Sequence, residues 1–142
     1  MIPRLAIAVV AAASLALGGC SAGAPISVAS NTYPSVPNGF AQEVNLISAK
    51  PLAVWVHGGT ILAVITVGIV ACTPVPTAIT ATDDTTIALT FVKSPNTPCQ
   101  GNIGPTTHEF RIPPGIDRDS STIVDIHFDI PGAEDYAVEV QR

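Results

Sequence analysis

Asp125, His127 and Asp129 alternate with Ile126, Phe128 and Ile130 along the most regular stretch of the chain. In an extended strand these three polar residues share one face, because side chains alternate with a period of two. Two carboxylates and an imidazole so placed could hold a divalent cation, helped by His108 or Glu109 from a neighbouring strand. The spacing weighs against this, since successive same-face residues stand ~7 Å apart, wider than neighbouring ligands of one ion. A solvated outer row fits better, with no metal and no cofactor. His57-Gly58-Gly59 has the make-up of an oxyanion-hole loop, but acyl transfer also needs a nucleophile on a strand-to-helix elbow. No segment has helical spacing, so two glycines in a hairpin turn are the simpler reading. Asp117-Arg118-Asp119, followed by Ser120 and Ser121, lacks the alternating oxygen ligands and placed glycine of a calcium loop, and reads as a polar turn.

The start of the chain carries an address. Arg4 is the only charge before Glu43, and Leu5 to Leu17 is an uncharged run of apolar and small residues. Such a run is too short for a hydrocarbon core of ~30 Å and has the layout of a signal peptide, residues 1–19. Leu17-Gly18-Gly19-Cys20 resembles the lipobox of bacterial lipoproteins, which implies diacylglyceryl transfer to Cys20 and cleavage before it. At ~0.8 kcal/mol per buried CH₂, two or three acyl chains hold a protein at a membrane persistently. The expected location is the extracytoplasmic face of the cell membrane, with lipid on Cys20 as the membrane contact. With Arg4 gone, five basic residues face eleven acidic ones, a formal net charge of −6. That balance, without a Lys/Arg cluster, excludes nucleic acid as the expected partner.

Once Cys20 is lipidated, Cys72 and Cys99 remain, and an even count in an oxidising compartment reads as one disulfide. Closing a loop of about 27 residues would stabilise the domain by ~3.5 kcal/mol in the chain-entropy model.

The elements that position these residues read as strands. Residues 20–39, with Cys20 followed by small and proline-punctuated residues, form a flexible stalk in this reading. From residue 40, β-branched runs alternate with Gly, Pro, Asn and Asp clusters. Strands are expected near 43–49, 51–57, 60–70, 77–82, 85–93, 107–112, 121–130 and 136–141. The apolar run 51–72 is long enough to suggest a membrane helix. His57-Gly58-Gly59-Thr60 interrupts it as a turn, and its Val and Ile content suits strands buried on both faces. The expected fold is therefore all-β: residues 40–142 as one antiparallel β-sandwich, immunoglobulin-like in outline, with Trp55 in the core and packed on the disulfide.

Trp55, Gly58-Gly59, Val64, Gly68, Cys72 and Pro74-Val75-Pro76 form one part of a further pattern. Asp83-Asp84, Cys99 and Pro113-Pro114-Gly115-Ile116-Asp117 complete it. The stretch 55–116 so marked resembles a family of small secreted and lipid-anchored actinobacterial proteins. The resemblance implies a disulfide-bonded β-domain and transfers no activity. Members often carry small hydroxyl residues before the first cysteine, where this chain has Ile69, Val70 and Ala71. The functional expectation is a non-catalytic envelope module that binds a protein or glycan partner. The alternatives are a metal-dependent enzyme or binder built on Asp125, His127, Asp129 and His108, or a purely structural surface lipoprotein.

Overall fold

A computed structural model of the protein describes residues 23–142. The expected signal peptide 1–19 and the expected lipid-bearing Cys20 lie outside the described residues. Eight strands follow in chain order: β1 Asn31–Tyr33, β2 Leu52–Val56, β3 Ile61–Ile69, β4 Val75–Ala81, β5 Thr86–Val92, β6 Ile103–Arg111, β7 Ile123–Asp129 and β8 Tyr136–Gln141. They form one sheet in the order β1-β6-β3-β2-β8-β7-β5-β4.

The alternation of side chains explains which strand goes where. In β5 the residues Ile87, Leu89 and Phe91 point inward, and in β7 Val124 and Ile126 do so. Apart from Ile123 and Val92 at the strand ends, their outward neighbours are polar or small, as befits strands with one wet face. β2 and β3 differ, because both of their faces are covered. Ala53, Trp55, Leu62 and Val64 join the main core, while Leu52, Val54, Ala63 and Ile65 form a second cluster beneath Val36, Phe40 and Val44. A near-continuous apolar sequence is what such doubly buried strands require.

The sheet is not flat. β5 and β6 are five strand spacings apart in the sheet order, about 24 Å if the sheet were planar. Yet the Phe91 and His108 rings meet edge to face with centroids 5.1 Å apart. Phe91 also stacks on Phe128 at 5.3 Å. The sheet therefore curls into a half-barrel around one core. Residues 28–30 span the gap between its two edges. Val28 N–H donates to Pro76 O on β4 at 2.9 Å, and Ser30 N–H donates to Glu109 O on β6 at 2.8 Å. Ala29 between them packs on the core.

Three expectations need correction. The sheet is mixed rather than antiparallel: β5 pairs parallel with β7 over seven residues, and β2 pairs parallel with β8 through Ala53↔Val140 and Val54↔Gln141. Alternation reports which face is buried and is silent on strand direction. A parallel neighbour needs only a long connection, which the passage through β6 supplies between β5 and β7. The stretch 43–49 forms turns instead of a strand. Asn45 Oδ1 accepts from the backbone N–H groups of Ile47 and Ser48 at 2.9 and 3.0 Å, a local bond that competes with strand pairing. Finally, residues 28–39 are not a free stalk, since they supply the bridging segment, β1 and part of the cover on β2 and β3.

The disulfide is formed as expected. Cys72 and Cys99 are bonded with their Cα atoms 5.6 Å apart, joining the turn after β3 to the loop before β6. Replacing both by serine should lower the melting temperature by on the order of 10 °C without altering the β-sheet circular dichroism. An unchanged melting curve would remove the bridge from the account of stability.

Candidate functional site

The alternating row on β7 faces outward, with Asp125, His127 and Asp129 all exposed. His127 Nδ1 lies 2.9 Å from both carboxylate oxygens of Asp135, on the β7–β8 connection. Asp135 Oδ1 also accepts from the Phe128 backbone N–H at 3.0 Å. The Asp135 hydrogen bond raises the His127 pKa, with smaller help from its charge and that of Asp129. The imidazole is thus paired within a surface bridge. The expected helpers do not join the row, because β6 is not a neighbour of β7. Among the described residues, no three His, Cys, Asp or Glu side chains are gathered as a metal site.

His108 and Glu109 are adjacent on β6 and point to opposite faces. His108 is buried in the main core against Phe91, with Thr32 Oγ1 3.4 Å from Nδ1 and Thr66 Oγ1 3.3 Å from Nε2. Burial lowers its pKa to about 4. Glu109 faces the other way, and its side chain is only 12% exposed. Three groups surround that carboxylate. Tyr33 OH donates to Oε1 at 3.0 Å, Asn31 Nδ2 donates to Oε2 at 3.3 Å, and His57 Nε2 stands 3.4 Å from Oε1. Desolvation, then the Glu109 hydrogen bond and charge, raise the Tyr33 pKa.

Glu109 forms part of an open cleft of about 990 Å³ at one end of the half-barrel. Its turn, His57-Gly58-Gly59, has three successive positive φ angles of 51°, 66° and 80°. The glycines accept that conformation freely, whereas a histidine there is uncommon. Thr60 Oγ1–H donates to His57 O at 2.8 Å and holds the turn. Across the cleft, Arg118 NH1 donates to Gly59 O at 2.9 Å, and Arg142 NH2 donates to Arg118 O. The Arg118 loop is itself braced. Asp117 accepts from Ser120 Oγ at 2.7 Å and from the Asp119 backbone N–H at 3.0 Å, and the Ser120 bond leads in lowering its pKa. Tyr33, Phe40 and the edge of Trp55 give the cleft aromatic walls.

In the sequence His57-Gly58-Gly59 and Asp117-Arg118-Asp119 read as separate turns, and the fold joins them through the Arg118–Gly59 bond. Nothing in the spacing links positions 33, 57 and 109, so Glu109 and Tyr33 are not legible there as partners of His57. Trp55 borders this cleft, at the end of the molecule away from the disulfide, and does not pack on Cys72–Cys99. The cleft lining holds no serine, threonine or cysteine. The chain's one G-x-S-x-G string, Gly19-Cys20-Ser21-Ala22-Gly23, straddles the expected cleavage site, and its residues 19–22 lie outside the described ones. No family model, curated protein or solved structure matches the chain.

The two shifted histidines make opposite predictions for stability. Unfolded His108 protonates near pH 6.5 and folded His108 near 4. Its contribution is therefore complete above pH 6.5 and is lost as pH falls towards 4, by about 3 kcal/mol in full. His127 has a raised folded pKa, so its exposed pair adds stability below pH 6.5 and loses it as pH rises through the folded value. In a His127→Thr background, the urea midpoint should fall steadily between pH 7 and pH 5. Adding His108→Leu should flatten that profile; a slope that persists would place the titrating group elsewhere.

Proposed function

We propose that this chain is a lipid-anchored extracytoplasmic module that binds an envelope protein or glycan through the cleft around Glu109, without catalysing a reaction. The observation that carries the reading is the cleft itself. A buried carboxylate, an exposed imidazole and two arginines are held by bonds to backbone or to each other, beside aromatic walls. Preorganised polar groups in a concavity with aromatic walls are what recognition of a partially polar partner requires. No serine, threonine or cysteine lines the cleft, and the carboxylates of Glu109 and Asp117 and the His57 imidazole are engaged in hydrogen bonds within the protein, which favours binding over turnover. Two sheet halves facing each other across one core support a sandwich-like description of the fold, with loops gathered at its ends as in immunoglobulin domains. The lipobox supports the anchor, and the resemblance of residues 55–116 to secreted actinobacterial proteins supports the compartment.

Two experiments test the two halves of this reading. Globomycin, which blocks the lipoprotein signal peptidase, should make the precursor accumulate, and Cys20→Ala should abolish lipid labelling. Unchanged processing and membrane retention would refute the anchor. Affinity capture from detergent-solubilised membranes should retain one specific partner on the parent protein. A folded Arg118→Ala, Arg142→Ala variant should retain it at least tenfold more weakly. Equal retention by both would move the interface away from the cleft, and no specific partner for either would refute the binding role.

A further inference from the structure

The wall of the cleft contains the one Asn-Gly step in the chain, Asn38-Gly39. Pro37 to Phe40 form a turn closed by the Phe40 N–H, which donates to Pro37 O at 3.2 Å. Gly39 has φ 92°, as the third residue of a type II turn requires. The turn seats Phe40, which packs on the second cluster of Leu52, Val54, Ala63 and Ile65 and also walls the cleft.

The five asparagines of the chain differ in what surrounds their amides. Asn31 Nδ2 donates to Glu109 Oε2 at 3.3 Å, and Asn96 Nδ2 donates to Ala71 O at 2.7 Å. Asn45 Oδ1 accepts from two backbone N–H groups. Thr32, Thr97 and Leu46 follow these three, and Ile103 follows Asn102, so a side chain screens the next backbone nitrogen in every case. Asn38 has neither restraint. It is exposed, its side chain makes no hydrogen bond among the described residues, and the Gly39 N–H is likewise unbonded there. A Cβ placed on Gly39 would meet nothing within 4 Å, so a small ring and a water molecule have room.

From this contrast we infer that Asn38 is a spontaneous modification site, which deamidates through a succinimide formed with Gly39. The Gly39 backbone nitrogen attacks Asn38 Cγ, and the new Cγ–N bond replaces the Cγ–Nδ2 bond. Nδ2 leaves as ammonia and takes the Gly39 N–H proton with it. Water then opens the ring at either carbonyl, leaving an aspartate or an isoaspartate at position 38. Both products put a carboxylate into the cleft that holds Glu109 and Arg118. Isoaspartate also adds a carbon to the main chain between Pro37 and Phe40, and the lengthened chain no longer fits the turn that seats Phe40. The modification is independent of whether the cleft takes a partner; with one, ageing at Asn38 alters the surface that the partner meets.

The test ages the full-length protein in mildly alkaline buffer at physiological temperature, natively and in urea, and maps its peptides by mass. In the native protein the peptide with Asn38 should show the amide-to-carboxylate mass gain at least tenfold faster than those with Asn31, Asn45, Asn96 and Asn102. Isoaspartyl methyltransferase should label that peptide and leave Asn38→Gln unlabelled, while the melting curve of Asn38→Gln matches the parent's. In the isoaspartate fraction the Phe40 ring should lose its nuclear Overhauser contacts to the cluster of Leu52, Val54, Ala63 and Ile65. Conversion of Asn38 in urea alone would mean that the fold protects the turn, and would overturn the inference. A native rate no faster than at the other four asparagines would do the same, as would label that persists in Asn38→Gln. Phe40 contacts that survive in the isoaspartate fraction would overturn the remodelling of the cleft wall.

Discussion

Phe91 and His108 should lie far apart in a sheet of this strand order, yet their rings touch. Every other feature of the molecule depends on that closure. It converts two rows of alternating apolar residues, on strands that never pair, into the two walls of one core. Phe91, Phe110 and Leu62 are fully buried only because β5 and β7 fold over β3 and β6. Burial of that kind contributes roughly 1.5–3 kcal/mol for each large side chain. The closure also sets the state of His108, which is neutral in the core and bridges β1 and β3 through Thr32 and Thr66.

Curling also brings segments that are distant in the chain to one place. The bridging residues 28–30 fasten the incoming chain to β4 and β6 together, so the segment that enters the domain also closes the half-barrel. Beside Glu109 the β2–β3 turn meets the Asp117–Ser120 loop, and Arg118 locks them by donating to Gly59 O. Glu109 belongs to the same structure, one residue beyond the core histidine and on the opposite face of β6. A core contact, an anchor point and a cleft are thus three consequences of one curvature.

The sequence made the strands legible wherever one face is wet. Val124 to Ile130 and Ile87 to Phe91 declare themselves by alternation, and β2 and β3 by Val and Ile on either side of a Gly-Gly turn. Cysteine parity, together with the expectation of an oxidising compartment, was enough to pair Cys72 with Cys99. Direction and closure were not legible, because a parallel and an antiparallel neighbour ask for the same alternation. β1 escaped notice because three residues, Asn31 to Tyr33, add to an edge through backbone bonds and carry no apolar pattern. The cleft was hidden for a related reason. Its turn residues look like solvated loops one by one, and only the curl brings positions 33, 57, 109 and 118 to one place.

The central claim is that the sheet closes on itself with residues 28–30 across the gap. Nuclear Overhauser spectroscopy of the protein with selectively labelled phenylalanine and histidine measures this directly. The account predicts cross-peaks between the Phe91 and His108 rings, together with contacts from Val28 to Pro76. A sheet with the same strand pairings but no Phe91–His108 cross-peak would be open, and would contradict the account of both the core and the cleft.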